Sequence, residues 1–348
     1  MPPYDHDVTR RVTLLAGGVG GARLADGIAR AHRAPTQPPP TARSDGHPAV
    51  LPTAPPDDVR SEPVDLTVVV NTGDDAEIHG LWVSPDLDTV MYTLAGRENR
   101  AQGWGLEGET FTVHEAMGEL GVDTWFLLGD RDLATHVART AARRAGEPLS
   151  TTTARLAAAT GVPARLLPVT DDRLATLVDT PAGTLEFQDY FVRRRHADPV
   201  LDVRVDGAAA ARPAPGVLEA LRDTDLLVLA PSNPVLSIGP VLAVPGVRTA
   251  LEQRSAPCVA VSPIIGGRAL KGPAADVLAA LGHEPSALGV ARMYAGLVDV
   301  LVVDRADAGL VRDVEALGMR AVVTDAVMRD RADRARLARE VLIAAGRQ

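Results

Sequence analysis

The chain has 348 residues, 46% of them hydrophobic, so it is long enough to bury a large core in one or two domains. Its net charge of −9 excludes a protein whose main partner is nucleic acid, because binding a phosphate backbone needs a surplus of Lys and Arg. The single cysteine, Cys258, excludes a disulfide framework and a multi-cysteine zinc cluster. No apolar run approaches the roughly 20 residues that cross a bilayer, and the N-terminus lacks a signal-peptide pattern. We therefore expect a cytoplasmic protein without a membrane partner.

The first predicted element is a strand, a glycine turn and a helix within RVTLLAGGVGGARLADGIARAHR. Backbone N–H groups of a turn containing Gly18, Gly20 and Gly21, together with the following helix N-terminus, can bind phosphate. Arg23 follows in the first helical turn and can bind phosphate oxygens in a bidentate manner. Arg23 also replaces the third glycine of G-x-G-x-x-G, and the Walker lysine is missing, so neither common nucleotide motif is complete. A turn needed only for close helix–strand packing is the alternative.

Four aspartates follow the second predicted strand, DLTVVV. Asp74 and Asp75 stand at its carboxyl end, where open α/β sheets bind ligands, and Asp86 and Asp88 follow Pro85 at the start of a helix. Because adjacent side chains point in different directions, we expect Asp74 to pair with Asp86 or Asp88 rather than with Asp75. Mg²⁺ takes one or two carboxylates and substrate phosphates, so this arrangement predicts a magnesium site. The alternative is that Asp74 and Asp75 are turn residues and Asp86 caps the helix.

Short apolar runs alternate with helical patterns along the rest of the chain and predict an α/β fold with a mostly parallel sheet. Residues 34–64 are Pro-rich and lack periodicity, which predicts a mobile surface insertion. DTWFLLGDRDLATH predicts a third strand, polar turn and helix, and the next helix is expected to begin at Ser150 or a following Thr as N-cap. ATLVDTPAGTLEFQDYF alternates apolar and polar residues around a turn and predicts a β-hairpin.

Three polar segments at predicted strand ends are further candidate sites. GDRDLATH suits hydrogen bonding to a polyol, or else it is a capped, salt-bridged helix start. APSNPVLSIGP suits a base or ribose, or it is a turn. SPIIGGRALKGP contains Lys271, the only lysine in the chain, which could contact phosphate. Trp82, Trp104 and Trp125 are expected to pack in the core and at its rim rather than to stack on a ligand.

Several segments, in one order along nearly the whole chain, resemble the 2-phospho-lactate transferase family that builds the deazaflavin coenzyme F-420: LLAGGVGGARLADG, VVNTGDDAEIHGLWVSPDLDTVMYTL, GWGLEGETF, FLLGDRDLATH, LLPVTDD, FQDYFVR, LLVLAPSNPVLSIGPVL and APCVAVSPIIGGRALKGP. The resemblance implies one Rossmann-like α/β domain over residues 1–348, with a smaller, largely helical part at about 104–165. It also implies a homodimer.

The same resemblance implies an enzyme that uses Mg²⁺. A phosphoenolpyruvyl or 2-phospholactyl group would pass from a guanosine diphosphate-type donor to the ribityl hydroxyl of the deazaflavin Fo, with release of GMP. The Arg-rich, Ala-rich composition favours the phosphoenolpyruvyl donor. Fo and the donor would be the small-molecule partners.

Residue roles follow from the resemblance position by position. Asp74, with Asp88 or Asp86, would hold Mg²⁺, and Asp75 would orient or deprotonate the ribityl hydroxyl. The donor would contact Gly18, Gly20, Gly21, Arg23, Ser232, Asn233, Ser237 and Lys271. Fo would contact Asp130, Arg131, Thr135 and His136.

Two other functions fit parts of the pattern. A family of UDP-sugar-binding regulators of gluconeogenesis shares the fold, the glycine turn and a GDD-like strand end, but its members bind ligand without catalysis. A nicotinamide-dependent oxidoreductase would also use a glycine turn, although the third glycine is missing here. UDP-N-acetylglucosamine binding would identify the first alternative, and an absorbance change with NAD(P)H and deazaflavin would identify the second.

Overall fold

The computed structural model describes residues 9–31, 63–270 and 272–346. The Pro-rich insertion predicted over residues 34–64 lies outside the described residues as far as Glu62, and Val64 is already the first residue of a strand. Lys271 also lies outside them. Within the described ranges, no helix is long and apolar enough to span a membrane.

The strands of the described residues are β1 (Arg10–Ala16), β2 (Val64–Val70), β3 (Ala76–Ile78), β4 (Leu81–Val83), β5 (Arg165–Pro168), β6 (Ala175–Thr180), β7 (Gly183–Glu186), β8 (Asp202–Asp206), β9 (Leu226–Leu229), β10 (Cys258–Val261), β11 (Ile264–Ile265), β12 (Arg268–Ala269), β13 (Val300–Asp304) and β14 (Arg320–Thr324). The α-helices are α1 (Gly18–Arg30), α2 (Pro85–Leu94), α3 (Thr112–Glu119), α4 (Asp130–Arg144), α5 (Leu149–Thr160), α6 (Val217–Arg222), α7 (Gly239–Ala243), α8 (Val247–Glu252), α9 (Ala274–Ala280), α10 (Ala287–Met293), α11 (Val311–Glu315) and α12 (Arg331–Ala344). Short π-helical turns cover Asp189–Arg193 and Pro234–Ile238.

Seven of the described strands form one parallel sheet in the order β14-β13-β10-β9-β1-β2-β5. The chain first builds outward from β1 through β2 to β5, and then returns to the other side of β1 at β9. The direction of building therefore reverses between β1 and β9, and a crevice forms outside their carboxyl ends. This confirms the predicted α/β fold with a parallel sheet.

The sheet is buried on both faces. Along β1, Leu15 packs into one apolar cluster while Leu14 and Ala16 pack into the other, because successive side chains of a strand point to opposite faces. Helices α1, α2, α5 and α12 cover the face that contains Leu14. Helices α6, α7, α8 and α10 cover the opposite face. Continuous apolar runs such as VVV in β2 and VLVV in β13 are therefore the expected sequences for these strands.

The hairpin prediction is confirmed, since β6 and β7 pair antiparallel with Thr180 opposite Gly183, and β8 pairs with the other edge of β6. Two element predictions are wrong. Residues 124–128 form no strand, because they cross the surface as an aromatic loop that leads into α4. Ser150 lies inside the first turn of α5, whose N-cap is Pro148, and both the backbone N–H and the hydroxyl of Ser150 donate to Asp171.

Candidate active site

A cleft of about 700 Å³ opens at the carboxyl ends of β1 and β9. Its walls come from the loops after β1, β2 and β9, from one side of α2, from the start of α4 and from the turn at Asp189–Arg193. Loops that follow neighbouring parallel strands meet at the same edge of a sheet, which is why segments far apart in sequence converge here.

The glycine turn permits close approach at the start of α1. A Cβ on Gly20 would overlap the carbonyl oxygen of Pro231, so only glycine lets α1 pack this tightly against the loop after β9. Gly18 has φ +61°, a left-handed conformation that favours glycine. The Gly18 N–H donates to Oδ1 of Asp86 at 2.7 Å, so the start of the helix already holds a carboxylate. Gly18 and Gly20 line the cleft, whereas Gly21 packs beneath it against Ala16 and Ser232.

The serines and asparagine after β9 support the glycine turn and also line the cleft. The Ser232 hydroxyl donates to the carbonyl of Gly17 at 2.7 Å and accepts from the Gly17 N–H at 3.1 Å. Oδ1 of Asn233 accepts from the N–H groups of Val235 and Leu236, and it thereby caps the π-helical turn. Ser237 is buried against Gly17. All three predicted residues therefore lie at the cleft, with Ser232 and Asn233 also satisfying backbone groups.

Asp74 and Asp86 form a buried acidic pair at the cleft. Nδ2 of Asn71 donates to Oδ2 of Asp86 at 3.0 Å, whereas Oδ1 of Asp74 is buried without a hydrogen-bond partner. Burial, and then the nearby charge of Asp86, raise the pKa of Asp74 well above its usual value. Burial also raises the pKa of Asp86 to about 6. Two desolvated carboxylates with an unsatisfied oxygen make a site that favours a cation.

Asp75 and Asp88 are held by other side chains. Oδ2 of Asp75 accepts from Nε1 of Trp82 at 3.2 Å and from the Ser84 hydroxyl at 2.7 Å, and Asp75 is not among the residues that line the cleft. Burial raises the pKa of Asp75 to about 8. Asp88 lines the cleft, but the buried guanidinium of Arg139 donates to both of its carboxylate oxygens. The charge of Asp88 is therefore already neutralised within the protein.

Arg23 lies in the cleft wall, where Nη1 donates to the carbonyl of Met328 at 3.0 Å. Burial, and then the charge of Arg334, lower the pKa of Arg23, which remains a cation near neutral pH. Its side chain joins α1 to the segment before α12. Among the described residues, Arg23 is the only arginine that lines the cleft.

The polar residues at the start of α4 have two different roles, since some join α4 to α3 and others lie at the cleft. Asp130 accepts from the Thr110 hydroxyl and from the N–H groups of Thr112 and Val113, so it caps α3, and Arg131 donates to the carbonyl of Glu107. Neither Asp130 nor Arg131 lines the cleft. His136 lines the cleft and is buried. Thr135 does not line the cleft, but its hydroxyl lies 2.8 Å from the hydroxyl of Tyr92, which does.

Aromatic side chains are frequent in the lining of the cleft. Of the three Trp and four Phe residues in the chain, five line it: Trp104, Trp125, Phe126, Phe187 and Phe191. The side chain of Trp104 is 44% exposed, although it stands in the wall of a cleft. The expectation of core packing is confirmed for Trp82, which is buried, and for Trp104 and Trp125, which line the cleft, the choice between rim packing and ligand stacking stays a prediction. The chain has few aromatic residues, and most of its Trp and Phe rings lie where a planar ligand can stack.

The model of the family described as "2-phospho-L-lactate transferase CofD" matches residues 12–343. The chain belongs to the 2-phospho-L-lactate transferase family. A protein named phosphoenolpyruvate transferase from Streptomyces griseus is 44% identical over 338 residues, which cover 95% of this chain and 97% of the relative. A protein named 2-phospho-L-lactate transferase from Methanosarcina acetivorans is 39% identical over 90% of this chain and 92% of its own length. Membership in this family confirms the resemblance inferred from the motifs, and it makes the chain a transferase.

Two solved structures with low sequence identity to this chain share its architecture. Protein BH3568 from Bacillus halodurans, described in one of two structures as a member of the upf0052 family, superposes with a TM-score of 0.59 and 17% identity over 96% of this chain and 100% of its own. At that identity the similarity concerns the fold alone.

Sequence reasoning missed Tyr92, which lines the cleft of this transferase, and Arg139, which neutralises Asp88 in its wall. Asp132 belongs to GDRDLATH, the segment predicted to suit a polyol, but it was assigned no individual role. Asp132 stands four residues before His136, so both lie on one face of α4, and this spacing was the available signal. Arg139 and Tyr92 carried no such signal, because a buried arginine and a helical tyrosine are recognised only once α2 and α4 are seen to pack together.

Proposed function

We propose that this transferase moves a phosphoenolpyruvyl group from a guanosine diphosphate-linked donor to the terminal ribityl hydroxyl of Fo, with release of GMP. The observation that carries the proposal is that one cleft combines two chemically different kinds of lining. The glycine turn, Arg23 and the acidic pair Asp74 and Asp86 supply a polar, charged lining, and five Trp and Phe rings supply an aromatic one. A charged diphosphate needs the polar lining, and a planar deazaflavin needs aromatic rings on which it can stack.

The family relationship supports the choice of substrates. Relatives that carry the name phosphoenolpyruvate transferase match at 41% to 44% identity in Streptomyces and other bacteria, and those named 2-phospho-L-lactate transferase match at 39% to 40%. The phosphoenolpyruvyl donor is our first choice for this reason, and the phospholactyl donor is the comparison. The homodimer and the cytoplasmic location stay predictions.

The proposed step makes one P–O bond and breaks another. The ribityl oxygen attacks the phosphorus that bears the enolpyruvyl group, the bond from this phosphorus to the bridging oxygen of GMP breaks, and GMP leaves with both bonding electrons. The hydroxyl loses its proton, and the product is a phosphodiester of Fo. No redox change occurs. Catalysis therefore depends on alignment of the two reactants and on stabilisation of negative charge.

The described residues fit a bound Mg²⁺, because the buried oxygen of Asp74 lacks a partner and Asp86 lies beside it. We propose Asp74 and Asp86 as its ligands, since Asp88 is paired with Arg139. Such an ion would supply positive charge against the donor diphosphate. The N–H groups at Val19 and Gly20 and the guanidinium of Arg23 would bind phosphate oxygens, and Ser232, Asn233 and Ser237 would lie on the guanosine side.

We assign His136 to the Fo side, as the resemblance predicted, whereas Thr135 lies outside the cleft lining and supports this side through the Tyr92 hydroxyl. Asp75 lies outside the cleft lining, so we no longer assign it to the ribityl hydroxyl. In our proposal Asp75 instead holds Trp82 and Ser84, and Ser84 is the residue from which α2 begins. Asp130 and Arg131 are likewise reassigned to the junction of α3 and α4.

The test is incubation of the purified protein with Fo, Mg²⁺ and each of the two guanylyl donors, followed by mass spectrometry. We expect the enolpyruvyl phosphodiester of Fo to form faster than the lactyl phosphodiester. Absence of product with both donors would refute the proposal. Tight binding of UDP-N-acetylglucosamine, unaffected by Fo, would instead identify a UDP-sugar-binding protein.

A further inference from the structure

Asp132 is a carboxylate held in a fixed position at the cleft, and nothing in the proposed chemistry so far uses it. The Tyr92 hydroxyl lies 2.7 Å from its Oδ1, and Nε2 of His136 lies 3.2 Å from its Oδ2. Both neighbours are almost fully buried, whereas the side chain of Asp132 is 16% exposed and lines the cleft. The two neighbours therefore hold the carboxylate in one position, where a ligand can still reach it.

The backbone holds Asp132 equally firmly. Oε1 of Glu109 accepts from the Asp132 N–H at 2.8 Å, and Oε2 accepts from the Arg131 N–H at 2.9 Å. This contact explains Gly129, because a Cβ at that position would overlap the carboxylate of Glu109. Asp130 in turn accepts hydrogen bonds from the first N–H groups of α3 and so joins the two helices. The N-terminus of α4 is therefore held rigidly, and a rigid backbone lets a side chain contact a ligand precisely.

Asp132 also keeps its negative charge. Burial alone would raise its pKa, but the hydrogen bond and charge of His136, with help from Tyr92, bring the pKa of Asp132 below its usual value. An ionised carboxylate only accepts hydrogen bonds and offers about four acceptor positions. The Tyr92 hydroxyl occupies one of them and Nε2 of His136 lies beside the other oxygen, so acceptor capacity remains for hydroxyl groups of a ligand.

Asp132 lies in the same cleft as the acidic pair. Asp86 and Tyr92 both lie on α2, six residues or about 9 Å apart along its axis. Tyr92 contacts Asp132, and Asp74, Asp86, Tyr92 and Asp132 all line the cleft. An acceptor whose terminal hydroxyl reaches the acidic pair can therefore place other hydroxyls of its chain near Asp132.

We infer that Asp132 binds hydroxyl groups of the polyol chain of the acceptor, and thereby selects an acceptor whose ring system carries such a chain. The inference rests on the proposed function, which supplies the acceptor class. A metal ion is the competing occupant, because Asp88, Asp132 and His136 bring ligand-type atoms within 4.8 Å of one another. The Arg139 guanidinium on Asp88 places a permanent positive charge at that cluster, which disfavours a second cation.

The test compares two ligands with two proteins by fluorescence titration. The ligands are Fo and a Fo analogue in which an unsubstituted pentyl chain replaces the ribityl chain. We expect Asp132→Asn to raise the Kd for Fo by about 10- to 100-fold, the range for loss of hydrogen bonds to a charged group, and to leave the Kd for the pentyl analogue unchanged. Glu119→Gln removes one exposed carboxylate from neighbouring α3 and serves as the control, with both Kd values unchanged.

Tyr92→Phe provides a second route if Asp132→Asn does not fold, because it removes one group that holds the carboxylate and keeps the ring. We expect a smaller rise in the Kd for Fo and none for the analogue. An unchanged Kd for Fo in Asp132→Asn, or an equal rise for both ligands, would overturn the inference, because neither result fits a contact with the hydroxyls. A wild-type protein that binds neither ligand would overturn the proposed function, and this inference with it.

Discussion

The backbone N–H of Gly18 donates a 2.7 Å hydrogen bond to Oδ1 of Asp86, and this contact joins the start of α1 to the start of α2. The partial positive charge at a helix N-terminus stabilises a nearby carboxylate. The glycine turn therefore acts in two ways, as a support for Asp86 of the acidic pair and as a wall of the cleft.

Removal of either member of the acidic pair should abolish turnover. We expect Asp74→Asn and Asp86→Asn each to lower kcat by at least about 100-fold, because each removes a charge that gathers the metal and the diphosphate. The measurement is initial rate against Mg²⁺ concentration. Asp202→Asn, at an exposed acid of β8, is the control and should have the wild-type rate. Near-normal activity of Asp74→Asn across the titration would remove Asp74 from the metal role.

The metal-free protein should lose stability as pH rises, because burial raises the pKa of Asp86 from its ordinary value of 3.8 to about 6 in the folded protein. Below about pH 4 the carboxyl is protonated in both the folded and the unfolded chain. Between about pH 4 and pH 6 the unfolded chain releases its proton first, which favours unfolding, and above that range the loss is complete.

Asp86→Asn should remove the part of this pH dependence that Asp86 contributes, while buried Asp74 and Asp75, whose pKa values are also raised, keep their own. We expect the difference in unfolding free energy between wild type and Asp86→Asn to change by an amount on the order of 3 kcal/mol between pH 4 and pH 7. Urea denaturation of chelator-treated protein at several pH values measures it. A difference that stays constant with pH would mean that Asp86 is not desolvated.

The pairing of Arg139 with Asp88 should be essential for folding stability. Both side chains are buried, so Arg139→Met leaves an uncompensated carboxylate and should cost about 3–5 kcal/mol of unfolding free energy. The double variant Arg139→Met, Asp88→Asn should recover part of that loss. Arg292→Ala breaks an exposed ion pair with Glu284 and should cost less than about 1 kcal/mol. Equal losses from Arg139→Met and Arg292→Ala in urea denaturation would contradict this assignment.

Gly20→Ala should disturb the junction of α1 with the loop after β9. The added methyl group would overlap the Pro231 carbonyl, which belongs to the backbone and cannot rotate away. We expect a loss of stability of about 1–3 kcal/mol, from overpacking, and a fall in activity. Gly309→Ala is a matched control, because a Cβ there meets nothing within 4 Å. Thermal melting of both variants tests the comparison, and equal melting temperatures would contradict it.

Trp104→Ala should weaken Fo binding while leaving the donor unaffected. The ring lines the cleft and is 44% exposed, so its loss removes a stacking surface without opening the core. We expect the KM for Fo to rise about tenfold or more, with the KM for the donor and the melting temperature unchanged. A rise confined to the KM for the donor would show that Trp104 contacts the donor and not Fo.

The fold followed from the sequence because its strongest signals are local. Apolar runs such as DLLVLAP and VDVLVVDR correspond to the buried parallel strands β9 and β13. The segment DTWFLLGD has the same apolar pattern, yet residues 124–128 form no strand. Their rings contact the cleft instead of a sheet. An apolar run thus indicates burial or contact, and pairing decides whether it becomes a strand.

The acidic pair was predictable because Asp74 follows a strand and Asp86 begins a helix. The spacing of the four aspartates does not predict which of their carboxylates remain available to bind a metal ion. Arg139 neutralises Asp88, and Trp82 and Ser84 hold Asp75, and these partners are set by the packing of α4 against β4 and α2. Asp130 and Asp132 show the same limit, since they are two residues apart and only Asp132 lines the cleft.

The most direct test of the central claim is the stoichiometry of one reaction. Purified protein, Mg²⁺, Fo and the enolpyruvyl guanylyl donor are mixed, and both products are quantified over time by chromatography with mass detection. Transfer predicts one GMP for each enolpyruvyl phosphodiester of Fo, and neither product when Fo is omitted. Release of GMP without a phosphodiester of Fo, or at the same rate in the absence of Fo, would contradict the assignment of this cleft to transfer.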